Sequence, residues 1–266
     1  MEGERAMKTI RLILAYLRHN LMSAMAYREA FILQAFGMLI NDLMLLVFWV
    51  VLFSRFPIIR GWDLPGVVTL YGIVATGYGI ATVIFGNAGR VAQLITNGDL
   101  DYYLALPTDP LVHLLVSRSS LSAWGELMFG IGVYLAADAG HWVLLPLFLV
   151  LAALSSLVFV AFFVVIGSLA FWLGQSQNLS MQLSNALITF GIYPMDIFPG
   201  VVKLLLYTLI PAAFVGSVPA ALLVSFSWGR LVGFISFSLG AVLFARWIFY
   251  RGLHRYTSGN LITTRG

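Results

Sequence analysis

Apolar residues run through this chain in long blocks, and the polar positions between them are few and clustered. A block of about twenty apolar residues is enough for one helical crossing of a bilayer. Six such segments can be drawn. The first is Phe31–Phe53, the second Val67–Gly86, the third about Ser117–Ala137 and the fourth about Trp142–Trp172. The fifth starts near Met181 and is interrupted at Tyr193–Gly200; the sixth covers about Trp228–Tyr250. Gly72, Gly77 and Gly79 in the second segment permit close helix packing.

Ahead of these blocks, Lys8–Met22 has a different period. Ile10, Ile13, Leu14, Leu17 and Leu21 recur at helical spacing, with Lys8, Arg11 and Arg18 on the opposite side. That arrangement predicts an amphipathic helix lying in the headgroup layer. A signal peptide is the competing reading, because Ala24–Ala26 imitates a cleavage site. Against it, the apolar run Leu12–Leu17 is too short and is followed by Arg18 and His19.

The fifth segment has two readings. Met181–Ile192 is twelve residues, or ~18 Å of helix, against a hydrocarbon core of ~30 Å. Val201–Ile210 is shorter still. Either the two pieces form one kinked span, or the span ends near Pro199 and Val201–Ala220 turns back as a re-entrant hairpin. Pro194, Pro199, Pro211 and Pro219 free backbone groups that cannot face lipid. The re-entrant form is the expectation.

Composition agrees with a membrane protein. Of 266 residues, 61% are hydrophobic and 10% charged, too little charge to cover a water-facing surface. Cysteine is absent, which excludes disulfides, thiolate metal sites and a cysteine nucleophile. The net charge of +4 carries no basic patch with interleaved aromatics, so no nucleic-acid partner is expected. With the N-terminus inside, Arg5, Lys8, Arg11, Arg18, Arg28, Arg90, Arg118, Arg246, Arg251, Arg255 and Arg265 fall inside, and Arg55, Arg60, Lys203 and Arg230 outside. The positive-inside rule then places both termini in the cytoplasm.

On that topology Asn97–Pro110 belongs to the largest internal connection. Arg90–Asn97 is predicted helical, with Val91, Leu94 and Ile95 on one face and Gly98 as its terminator. Asp99 is placed to cap a second short helix, Leu100–Leu106, which Pro107 stops. Asp109 is placed to cap a third, with Pro110 at its first turn, expected to continue through the third span. The segment displays Asp99, Asp101, Tyr102 and Tyr103. Two readings fit: an interface for another protein, or a capped loop with tyrosines at headgroup level.

Asp42 and Glu126 lie well inside the first and third segments, with no lysine or arginine at their depth. Intramembrane carboxylates face bundle interiors or water. They fit a polar pathway or proton relay, and equally polar contacts between helices or protomers, with Gln34 and Asn41 as available partners for hydrogen bonding. His19, His113, His141 and His254 show no metal-ligand spacing.

The chain resembles the membrane subunits of ABC-type-2 exporter permeases, in particular six-span bacterial permeases. The resemblance is carried by the surface helix, "ITNGDLDYYLALPTDPL", "YPMDIFP" followed by "IPAAFVGSVPA", and the "RGLHRYTSGN" tail. It implies an all-α membrane protein of the bacterial inner (plasma) membrane, one permease domain over 1–266. Within it, 1–30 form a cytoplasmic interfacial helix, 31–250 a six-span bundle and 251–266 a cytoplasmic tail. It implies a coupling helix at 97–107 whose Asp99, Leu100, Asp101, Tyr102 and Tyr103 contact a separate ATP-binding subunit, present in two copies. It further implies a second permease copy, or a related permease, across the pathway, and a re-entrant outer gate containing Tyr193, Pro194, Phe198, Pro199 and Phe214.

A phosphate-binding loop needs a lysine after a glycine. The two lysines, Lys8 and Lys203, follow Met7 and Val202. ATP and Mg²⁺ are therefore expected on the partner, with no catalytic residue, cofactor or metal on this chain. Two other functions remain open: a proton-coupled secondary transporter using Asp42 or Glu126, and a membrane scaffold with no transported substrate.

Overall fold

The computed structural model describes residues 2–137 and 141–257, with the side chains of 2–6, Lys8 and His141 outside that description. Expectations resting on Arg5, Lys8, His141 and the tail from Ser258 onward therefore lie outside the described residues. Apart from one isolated bridge between Ile59 and Trp62, the regular structure described is helical.

The N-terminal helix is longer than its pattern. α1 spans Glu2–Ala26, with Ile10 and Leu14 exposed along it. A break at Tyr27 leads into α2, Arg28–Arg55. α3, Leu64–Ile84, starts on Asp63, whose carboxylate accepts from the Gly66 amide at 3.0 Å. The short elements α4 (Val91–Thr96), α5 (Leu100–Leu104) and α6 (Pro110–Val116) follow. After these come α7 (Ala123–Ala137), α8 (Leu145–Ser168) and α9 (Ala170–Leu173). α10 is Gln177–Gly191, α11 Gly200–Thr208, α12 Ala212–Val215 and α13 Ser217–Val224. α14, Trp228–Leu253, is the last.

Four stretches are long and apolar enough to cross a bilayer: Arg28–Arg55, Leu64–Ile84, Trp142–Leu173 and Trp228–Leu253. Ala123–Ala137 is apolar but shorter. The third span was expected to run on unbroken from the helix begun at Asp109, and it does not. α6 ends at Val116, and Ser117–Ser122 separate it from α7. Four serines and Arg118 occupy the break, and serine hydroxyls compete for helical backbone groups. The end of α3 satisfies the backbone there: Gly86 N donates to Arg118 O and Ser120 N to Thr82 O, each at 3.0 Å.

α3 and α8 form the centre, while α2 and α14 are largely exposed. Glycine makes the centre possible. A Cβ on Gly130 of α7 would lie 2.5 Å from Thr76 N and 2.7 Å from Gly72 O of α3. On the other side of α3, Gly77 meets Ala152 and Ser155 of α8.

α10 starts at Gln177, before the expected Met181, and its fifteen residues give ~22 Å of helix. Asp196 then sits beside the α2–α3 loop, accepting from Trp62 Nε1 at 3.0 Å and pairing with Lys203 at 2.7 Å. From there α11 leads to Thr208, Leu209 and Pro211, which line a crevice with Val158 and Ala161 of α8 and Phe237 and Ala241 of α14. Those are residues near the middles of both long helices. The chain then returns. Val215 O accepts from Ser155 Oγ at 2.6 Å, and Ser217 Oγ accepts from Met195 N at 2.9 Å.

Candidate functional site

The polar interruption forms a bonded platform at one end of the bundle. Gly98 adopts φ +81°, the left-handed turn predicted for it. Asp109 caps α6, accepting from Val112 N at 3.2 Å with Pro110 in the first turn. Asp99 stands at the start of α5 but makes no side-chain cap bond, because its own backbone is already helical (φ −65°, ψ −12°). A capping residue needs non-helical backbone to turn its oxygen onto the first amides. α5 also ends at Leu104 rather than Leu106.

The five residues predicted to meet a partner divide into two sets. Leu100 and Tyr103 are buried, while Asp99 and Tyr102 are exposed, Tyr102 by 63%. Asp101 is half-buried and faces the Tyr256 hydroxyl, whose pKa is pushed up to about 12 by burial and then by that carboxylate. Leu104, absent from the sequence-based set, is exposed beside Tyr102.

Three nodes lock the platform to its surroundings. Asn87 donates from Nδ2 to Leu114 O (3.0 Å) and Ser117 Oγ (2.8 Å), and Ser117 Oγ in turn meets Tyr103 Oη at 2.9 Å. His113 is buried. One ring nitrogen bonds Thr108 Oγ1 at 2.8 Å, the other bonds Tyr16 of α1, and Tyr103 packs edge-on at 5.8 Å. Burial pushes the His113 pKa down. Asp109 accepts from Tyr250 Oη at 2.6 Å and pairs with Arg246 at 2.6 Å, both on α14. Burial opposes its charge, but these bonds hold its carboxyl below the usual range.

His113, Tyr16, Arg246 and Tyr250 were not predicted for this site. In the sequence His113 reads only as a candidate metal ligand without partners, and Arg246 only as a topological charge. The signal that could have found them is the rarity of polar side chains near helix ends in so apolar a chain.

The aromatic residues expected in the outer gate each pack on a different neighbour outside that set. Tyr193 packs edge-on against Trp49 at 5.5 Å, and Phe198 against Phe190 at 5.6 Å. Phe214 stacks on Phe237, 3.6 Å between centroids and nearly parallel. Pro194 and Pro199 precede the short turn Met195–Ile197 and α11.

Asp42 and Glu126 are both buried and close enough to interact electrostatically. Asp42 Oδ1 accepts from Tyr71 Oη at 2.9 Å, a partner on α3 that sequence spacing does not connect to it. Among the described residues its Oδ2 has no hydrogen-bond partner. Among the described residues, no three metal-ligating side chains come together.

A family model described as "ABC-2 family transporter protein" matches residues 39–260. No curated protein and no solved structure gives a match.

Proposed function

We propose, on the premise that this chain belongs to the ABC-2 family of transporter proteins, that it is the membrane-spanning permease of an ATP-driven exporter. ABC-2 permeases are membrane components that work with an ATP-binding subunit, so the chain is a multi-pass permease component of an ABC transporter. In the finer reading it crosses a bacterial inner membrane six times, with both termini and α4–α6 in the cytoplasm. Two permeases, identical or related, flank the pathway, and two ATP-binding subunits seat the α5 helices. ATP and Mg²⁺ stay on those subunits.

The platform carries this reading. Buried Leu100 and Tyr103 anchor α5 and leave Asp99 and Tyr102 outward. His113 ties the following helix to α1, and Asp109 ties it to α14. A displacement of α5 thus reaches three other elements through packed, bonded contacts. Shifting an access equilibrium from 1:99 to 99:1 takes ~5.5 kcal/mol of differential binding, which nucleotide engagement by the partner supplies.

The path of α11–α13 supports a re-entrant outer gate. Pro211 lies beside the middles of α8 and α14, while Asp196 and Lys203 stay near the α2–α3 loop. The second permease is supported by α10. Asn178, Gln182, Asn185 and Thr189 are exposed at helical spacing along it, a row poorly suited to hydrocarbon and suited to a wet pathway or a partner helix.

The test is Asp99→Lys combined with Tyr102→Ala, co-expressed with the ATP-binding subunit. The variant is expected to insert and melt like the parent, yet lose co-purification or stimulation of ATP turnover. A complex of unchanged yield and unchanged turnover would refute the coupling role.

A further inference from the structure

A second cavity, of about 330 Å³, opens between α3, α4, α8 and α10, within the roughly 300–1,000 Å³ range of small-molecule sites. Its walls are of two kinds. Tyr78, Phe163 and Ile188 make an apolar half, and Arg90, Gln93 and Gln177 a polar half. The polar half is at the platform end, where Arg90 precedes α4, and the apolar half extends along the bundle towards its middle.

Arg90 is the distinctive group. Its Nε donates to Gln93 Oε1 at 3.2 Å and a terminal nitrogen donates to Asn87 Oδ1 at 3.4 Å. Both acceptors are neutral amides, and among the described residues no carboxylate pairs with it. Among the described residues no aspartate or glutamate lines the cavity. A guanidinium has five donors, so several remain for a ligand. Half-buried beside apolar walls, an unneutralised cation is costly, and an anion that brings its own charge relieves that cost. Planar guanidinium donors match phosphate oxygens in paired hydrogen bonds.

We infer that this cavity binds an amphiphile with a phosphate head, the head on Arg90 and Gln93 and the alkyl chain along the wall formed by Tyr78, Phe163 and Ile188. Basic pockets between spans on the cytoplasmic side hold anionic headgroups by this physics. The inference deepens the permease reading by naming its substrate class, and it rests on that reading for transport but not for binding.

The probe is dodecyl phosphate, titrated onto the full-length protein in neutral detergent and followed by native mass spectrometry. One saturable adduct per chain is expected. Arg90→Gln should weaken it about tenfold or more, the loss of a charge-assisted contact. Ile188→Trp, which fills the apolar half and leaves the cation in place, should also weaken it. If Arg90→Gln melts early, Ile188→Trp decides alone. Unchanged binding in a folded variant overturns the inference. Inorganic phosphate that displaces dodecyl phosphate at equal concentration also overturns it, because the site would then read the head alone. Binding that behaves as expected, in a complex whose ATP turnover ignores dodecyl phosphate, upholds the site and counts against its use in transport.

Discussion

Asp109 and Arg246 meet at 2.6 Å, which fastens the first turn of α6 to the last third of α14. The same carboxylate caps α6 and accepts from Tyr250. Asp109→Ala removes all three interactions. The cap contributes ~1 kcal/mol. The half-exposed ion pair adds at most about 1 kcal/mol after solvent screening. Because folding depresses the Asp109 pKa, its contribution is present above the ordinary aspartate value of ~3.9 and is lost as pH falls below it. Thermal unfolding in detergent should show the parent losing more stability than Asp109→Asn between about pH 5 and pH 3, and equal losses would show that the bonds do not hold the carboxylate.

His113 predicts a pH dependence of the same sign at a higher pH. Burial lowers its pKa, so the folded chain holds it neutral while the unfolded chain protonates it near ~6.5. Its contribution is complete above that value and declines as pH falls through it towards the lower folded value. His113→Gln should flatten the stability profile between pH 7.5 and 5.5. Tyr16→Phe should loosen α1 and raise its proteolytic sensitivity, with little change in the melting of the spans. An α1 equally protected in Tyr16→Phe would show that the bond does not hold it.

Within α5, stability and coupling should separate. Leu100 is fully buried, and Leu100→Ala should cost about 2–5 kcal/mol, the range for leucine truncation in a core. Tyr102→Ala should leave melting within about 0.5 kcal/mol of the parent, as for an exposed side chain. Equal melting of the two variants would contradict the division of the helix into anchoring and presenting residues.

Glycine contacts offer a paired test. Gly130→Ala forces a Cβ against the Thr76 amide and the Gly72 carbonyl, both rigid backbone, and overpacking of that kind costs roughly 1–3 kcal/mol. Gly132, two residues on, has nothing within 4 Å of a new Cβ. Gly132→Ala should be neutral or slightly stabilising through helix propensity. Similar melting temperatures for both would contradict a backbone-to-backbone approach of α3 and α7 at Gly130.

The Tyr71–Asp42 bond addresses the proton-coupled alternative. If Asp42 and Glu126 serve packing, Asp42→Asn should retain nucleotide-dependent transport within about threefold, since an amide also accepts from the tyrosine. Transport driven by a pH gradient without an ATP-binding subunit, and abolished in Asp42→Asn, would favour the secondary transporter instead.

The sequence alone determined the solvent of this protein, the order of its apolar segments, and the local punctuation of its polar connection. These depend on side-chain polarity and on backbone rules acting over a few residues. Gly98 turns left-handed and Asp109 caps α6 for reasons complete within that short range. Only the tertiary structure decided that α6 and α7 are separate helices, because the break at Ser117–Ser122 is stable where the end of α3 supplies its hydrogen bonds. It also decided that Tyr71 bonds Asp42, that Tyr16 and Tyr103 enclose His113, and that Arg246 and Tyr250 meet Asp109. Each of these joins residues from different helices, and helical periodicity specifies which face a side chain occupies but not which neighbour that face will meet.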